Sequence, residues 1–144
     1  MRTLHYPHWK DATPDWRWPN FSPYEMRCRC EGSAYEAHCQ CGGSLVIAPQ
    51  FLDRLQALRD RLGFPMVVTS GYRSAEYDLA IGGAGVHPEG CAVDISINGE
   101  QAYKMLVAAS KMEFWGIGLN QRGKGRFIHL DNSDEKSRPR IWTY

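Results

Sequence analysis

The sequence contains no apolar run approaching the roughly 20 residues of a membrane-spanning helix, so no membrane insertion is expected. Its first twenty residues, MRTLHYPHWKDATPDWRWPN, lack the apolar stretch and small-residue cleavage site of a secretory signal. The expectation is a chain made in the cytoplasm that reaches any extracellular target by another route. Charge of one sign is lacking too. Seventeen Lys and Arg against sixteen Asp and Glu leave a formal net charge of +1. A nucleic-acid binder usually carries a basic patch, so no nucleic-acid partner is expected. There is no internal repeat. What is present is 144 residues, 43% hydrophobic and 12% aromatic. That is enough for one buried core and about one domain, with a monomer expected, and it excludes wholesale disorder.

Five cysteines are many for this length. Cys28 with Cys30, and Cys39 with Cys41, form two C-x-C pairs around a short polar loop; Cys91 stands apart and reads as a packed core thiol. Close cysteines in a chain without a secretion signal read as metal ligands or reduced thiols more readily than as disulfides. Each pair is, however, one residue tighter than the C-x-x-C of common structural zinc sites. A structural metal clip and a set of thiols or disulfides stay level on this spacing.

Residues 1–20 are rich in Trp and Pro without a helical or alternating period. They read as an N-terminal arm fastened by Trp9, Trp16 and Trp18, ahead of a domain spanning 21–144. At Phe21 the pattern changes. Ser22, Pro23 and Glu25 form a capping box with proline at the first helical position, and Phe21 and Met26 bracket it as a hydrophobic staple. A longer helix is predicted over Pro49 to Leu62, with Phe51, Leu52, Leu55, Leu58 and Leu62 on one face and Gly63 as its stop. Met66 to Thr69 reads as a buried strand, and Ile81 to Gly85 as a glycine-rich loop. A strand follows over Ala92 to Ile97, then a helix from Asn98 to about Met112 with Gln101 completing an Asn-x-x-Gln cap. Trp115 to Leu119 and Phe127 to Leu130 are further strands joined by a turn at Gln121 to Gly125. Elements in this irregular order predict an α+β fold.

Alternation fixes which side chains share a face. In the first strand Val93, Ile95 and Ile97 point one way and Ala92, Asp94 and Ser96 the other. In the second, Ile128 and Leu130 oppose Phe127, His129 and Asp131. If the apolar faces seek one core, Asp94 and His129 emerge together, and the Pro88-Glu89-Gly90 turn folds His87 back towards them. Two imidazoles and a carboxylate with a fourth position open is the ligand count of a catalytic zinc site. The competing reading is structural, since isolated H-x-D spacings are common.

The segment His87-x-x-Gly90-x-Ala92-x-Asp94, preceded by Ser70-Gly71-Tyr72-Arg73-Ser74 and followed by Phe127-Ile128-His129-Leu130-Asp131, resembles the zinc D-Ala-D-Ala carboxypeptidase and murein endopeptidase family. The small, phage-associated subtype is the nearest. Phe21-Ser22 through Glu25, Cys41-Gly42-Gly43, the Leu52 to Arg59 helix, Gly82-Gly83-Ala84 and Trp142 also fit, so the resemblance runs from about Phe21 to Trp142. It implies a Hedgehog/DD-peptidase fold, with a small antiparallel sheet, helices on one face and zinc on the other. It also implies His87, Asp94 and His129 as zinc ligands, and Arg73 as the group that binds substrate or stabilises developing negative charge. The implied partner is a peptidoglycan peptide. The implied activity is zinc-dependent hydrolysis beside D-alanine, by a lysis enzyme released through a membrane pore or carried on a virion.

The general base is where this chain departs from the family it resembles. Many carry Glu or Asp three residues before the last histidine ligand, where Arg126 stands here; others carry His two residues before it, where Phe127 stands. Asp131, on the same strand face as His129, is expected to be the base, with orientation of His129 as its alternative role and Glu89 as its rival. Val86 and Asp78 replace a common Ser and Asn. Tyr72, Tyr77, Trp115 and Trp142 are candidate cleft aromatics, and Arg138-Pro139-Arg140 reads as a solvated turn. The rival from another class is a non-catalytic, zinc-containing module that binds cell wall or builds a virion. A nucleic-acid module built on the cysteine pairs is a third reading, disfavoured by the charge balance.

Overall fold

Pro49 opens and Gly63 closes the longest helix, as its apolar spacing predicts, and the other elements assemble around the face it buries. The computed structural model describes residues 1–144. In chain order the elements are β1 (Leu4–Tyr6), α1 (Pro23–Met26), β2 (Leu45–Ile47), α2 (Pro49–Leu62), β3 (Val67–Ser70), α3 (Ala75–Ala80), β4 (Ala92–Ser96), α4 (Gly99–Lys111), β5 (Gly116–Asn120), β6 (Phe127–Asp131) and β7 (Arg140–Thr143). Short 3-10 turns lie at Trp9–Asp15, Glu36–His38 and His87–Glu89. No helix is long and apolar enough to cross a membrane.

The main sheet has the order β3-β4-β6-β5-β7. It is antiparallel from β3 through β5, and β7 then adds a parallel edge against β5. Val93 and Ile95 of β4 and Ile128 and Leu130 of β6 pack with Phe51, Leu55 and Leu58 of α2 and Ala102 and Met105 of α4 in one core. This is the α+β arrangement expected, with helices on one face. A one-residue slip of either strand along the other would turn that strand's two aliphatics to solvent and bury its polar member, Asp94 or His129. At roughly 1.5–3 kcal/mol per buried aliphatic the slip costs on the order of 3–6 kcal/mol, a large share of the stability of a domain. The register Asp94↔His129 is therefore enforced by the opposite face.

Several sequence expectations hold in detail. Ser22 and Glu25 form both hydrogen bonds of the capping box. Gly63 ends α2 at φ +74°, a conformation that glycine alone adopts without strain. Others are corrected. Asn98 occupies the cap of α4, but its side chain makes no capping hydrogen bond. The strand predicted as buried at Met66 to Thr69 is the edge strand β3, with Val67 and Thr69 turned to solvent and only Met66 and Val68 in the core. β1, β2, α3 and β7 were not foreseen; each is six residues or fewer, too short to show a period. Residues 1–20 are tied closely into the rest of the chain. β1 pairs with β2, Ala12 and Trp18 enter the main core, and Trp18 Nε1 and Arg17 both bond Asp53 of α2.

Candidate metal centre

His87 stands at the start of a 3-10 turn whose closing residue, Gly90, has φ +78°. A side chain at Gly90 would also run into Val46, with a Cβ only 2.9 Å from Val46 Cγ1. The turn can thus pack against β2 only with glycine there. His87 Nδ1 lies 2.6 Å from the Gly71 carbonyl oxygen. A carbonyl only accepts, so Nδ1 carries a hydrogen, and Nε2 faces Asp94 Oδ1 at 3.4 Å.

His129, across the β4–β6 ladder, lies between two carboxylates. Its Nδ1 is 3.0 Å from Asp94 Oδ1 and its Nε2 is 2.7 Å from Asp131 Oδ2. Burial disfavours the imidazolium, but hydrogen bonds to Asp131 and Asp94 outweigh it and raise the pKa above the usual histidine value. Burial likewise opposes ionisation of Asp94, yet bonds from His129 and His87 hold its carboxyl well below the ordinary range. Asp131 behaves alike, held down against burial by His129, Arg138 and the Ser133 backbone.

The donor atoms of His87, Asp94 and His129 all lie within 4.8 Å of one another. Tetrahedral zinc with ligands near 2.0–2.1 Å needs donors about 3.4 Å apart, which the 3.0 and 3.4 Å separations bracket. The rings are also held as ligands require, since the Gly71 carbonyl and the Asp131 carboxylate bind the nitrogens that face away from the cluster. The residues present therefore fit a zinc ion, with His87 Nε2, Asp94 Oδ1 and His129 Nδ1 as donors. A cleft of about 500 Å³ opens over them, lined by Arg73, Val86, Phe127, Lys136, Arg140 and Trp142 among others.

Arg73 reaches the cleft from the loop after β3. Its Nη2 bonds Asp94 Oδ2 at 3.0 Å, its Nη1 bonds Asp78 Oδ1 at 2.9 Å and its Nε bonds Ser70 Oγ at 2.9 Å. Three of the five guanidinium hydrogens are so engaged, and the Asp94 carboxylate is turned to offer Oδ1 to the histidines. Asp78 is buried and also accepts the Gly85 N–H, which ties the glycine-rich rim of the cleft to Arg73. A side chain at Gly83 would collide with that carboxylate.

Asp131, expected as the general base with orientation of His129 as its alternative role, lies where its surroundings favour the alternative. Asp131 is 0% exposed, and both oxygens are taken. Oδ1 accepts from Ser133 N and Arg138 Nε; Oδ2 accepts from Arg138 Nη2 and faces His129 Nε2, on the side of the ring away from Asp94. This placement suits it to orient His129. Glu89, the rival, is turned aside, accepting from Ser133 Oγ and Asp134 N. Arg126 lies on a separate groove with Tyr103 and Leu106.

Arg138 is a neighbour of this centre that the sequence does not reveal. It was expected in a solvated turn, yet its side chain is 8% exposed, grips Asp131 with two donors and stacks 5.1 Å from the Trp142 ring. Trp142 packs in turn against His129, with ring centroids 5.2 Å apart. Gly118 makes the room, since a Cβ there would sit 2.6 Å from Trp142 Nε1. Of the other aromatics singled out, Tyr72 and Tyr77 pack beside the cysteine pairs, and Trp115 is largely exposed. Arg138, Asp131, His129, Asp94, Arg73 and Asp78 thus form a continuous row in which basic and acidic groups alternate.

A family model described as Peptidase M15 matches residues 19–131, most of the chain and all three proposed ligands. No curated protein and no solved structure matches the chain.

Proposed function

Because the chain belongs to the Peptidase M15 family of metallopeptidases, we propose that it is a zinc-dependent hydrolase of bacterial peptidoglycan, cutting a peptide bond in stems or cross-links beside D-alanine. The observation that carries this reading is the His87–Asp94–His129 donor set, opening onto a cleft whose wall is basic, with Arg73, Lys136, Arg138 and Arg140 among its lining. Stem peptides carry free carboxylates, and arginine forks suit them. A lysis enzyme released through a membrane pore, or a virion component, would meet that substrate.

Zinc, when bound, supplies a Lewis acid that polarises the scissile carbonyl and makes a water nucleophilic near neutral pH. The protein's own part is positioning. Gly71 and Asp131 fix the two imidazoles, and Arg73 fixes Asp94. The two guanidinium hydrogens left on Arg73 are available to a substrate carboxylate or to the developing oxyanion. Phe127 and Trp142 form an apolar wall that would exclude bulk water from the bound peptide.

One observation favours a second reading. Asp94 is the only carboxylate lining the cleft, so no second acid is in place to take a proton, and the same centre would serve a zinc-holding module that binds cell wall without cutting it. Digestion of purified peptidoglycan, with and without a zinc chelator, separates the two by mass spectrometry of the new ends. Chelator-sensitive release of D-alanine identifies a carboxypeptidase, and release of uncross-linked stems an endopeptidase. His87→Ala is expected to abolish both hydrolysis and zinc retention at this centre. Intact wall beside a zinc-loaded protein would establish the binding module.

A further inference from the structure

A second cluster of ligand-type side chains lies away from the cleft. Cys28, Cys30, Cys39 and Cys41 bring four sulfurs within 4.8 Å of one another, drawn from two short segments on either side of the loop 31–38. All four are free thiols, and three are buried. The backbone is extended at Arg27 and at Cys39. In extended chain, residues i and i+2 point to the same side, so a C-x-C pair delivers both sulfurs to one point. The tight spacing that set these pairs apart from C-x-x-C sites is thus no obstacle.

We propose that these four cysteines form a second metal site, a closed thiolate cage that holds one structural zinc ion. Tetrahedral zinc with bonds near 2.3 Å places its sulfurs about 3.8 Å apart. Cys30 and Cys41 lie 3.4 Å apart, close to that edge and well outside the roughly 2.05 Å of a disulfide. Ser74 stands behind the cage, with its N–H 3.4 Å from Cys28 Sγ and its hydroxyl 2.9 Å from Cys39 Sγ. Donors of this kind stabilise thiolates.

The loop supplies the second argument. Between Cys30 and Cys39 every residue but Ser33 is exposed, and none of them enters either apolar cluster. Ordering such a segment costs conformational entropy that no buried apolar surface offsets. The sulfurs are what close it, and a cation bound by four thiolates supplies the missing free energy. The cage also abuts the catalytic side. Ser74 follows Arg73 directly and caps α3, and Tyr72 donates its N–H to Met26 in the segment that leads into Cys28. The second ion therefore braces the loop that presents Arg73 to the cleft.

The test is a metal count on the full purified chain, with His87→Ala as the variant that empties the other centre. Two zinc ions per wild-type chain and one in His87→Ala are expected. Cobalt introduced into His87→Ala should give the intense near-ultraviolet thiolate-to-metal band. Cys30→Ser with Cys41→Ser should remove that ion and the band. If the cysteine variant fails to fold, the His87→Ala count and spectrum still decide. One zinc in the wild type and none in His87→Ala would overturn the proposal. So would an unreduced protein whose mass is four hydrogens short, because its sulfurs would then be paired as disulfides.

Discussion

Replacing Asp131 with Asn changes one oxygen for an amide at a point where four donor groups converge. Ser133 N, Arg138 Nε, Arg138 Nη2 and His129 Nε2 all meet this carboxylate, which is 0% exposed. An amide keeps one acceptor oxygen and presents two hydrogens to neighbours that are themselves donors. The Arg138 charge is then left without its partner. Removing one member of a buried pair costs about 3–5 kcal/mol, and the lower end applies here because Arg138 borders the open cleft. A domain with the usual 5–15 kcal/mol stays folded after such a loss. The ring of His129 also loses the acceptor that holds its Nδ1 towards the metal, and outer partners of this kind are worth about 10–100-fold in metal affinity. Asp131→Asn should therefore show a lowered denaturation midpoint together with zinc binding weakened by about 10–100-fold, read by competition with a chelating dye. A variant that binds zinc as tightly as the wild type yet turns over no substrate would refute this account and restore Asp131 as the proton acceptor.

Two further outcomes follow from the same site. In metal-free protein the depressed carboxyls of Asp94 and Asp131 contribute stability that is present above their ordinary value of 3.8 and lost as pH falls below it. The raised pKa of His129 contributes stability that is full below 6.5 and lost as pH rises beyond it. Chelator-treated protein should accordingly be most stable between about pH 4 and 6.5 and weaken as pH rises above 6.5, as chemical denaturation at several pH values will show; a flat profile across that rise would contradict the assigned contacts. Gly116→Ala would drive a methyl into the Asp131 carboxylate. Overpacking of this kind costs about 1–3 kcal/mol in denaturation experiments, and an unchanged midpoint would show that Asp131 is not seated against β5.

The convergence of Asp94 and His129 was legible because it rests on a short-range rule. Alternation along β4 and β6 places Asp94 and His129 on the face opposite Val93 and Leu130, and the core enforces that choice. α2 and the Ser22 capping box were legible for the same reason, their signals lying within a few residues. Arg138 was not, because its burial depends on an event distant in sequence. Only when β7 returns to lie parallel to β5 does the chain carry Arg138 beneath the sheet edge to Asp131. In isolation it reads as one more basic residue beside a proline. The surroundings of Asp131 were hidden on related grounds. Periodicity tells which face a carboxylate occupies, but not which of its lone pairs are already spoken for.

The alternating row from Arg138 to Asp78 has a consequence for how the centre is assembled. With the His129 ring doubly protonated, the row balances three positive groups against three negative ones before any cation arrives. Without a cation the centre would thus be electrically balanced, and its carboxylates would have no reason to spring apart. A divalent ion held by His87, Asp94 and His129 would take the place of a proton between neighbours already in position. Loading would then be an exchange of one cation for another in a standing frame, with no need to refold the strands around it. The thiolate cage is the opposite kind of vessel, since four sulfurs stripped of their ion have only protons to hold them together and a solvent-facing loop to pull them apart.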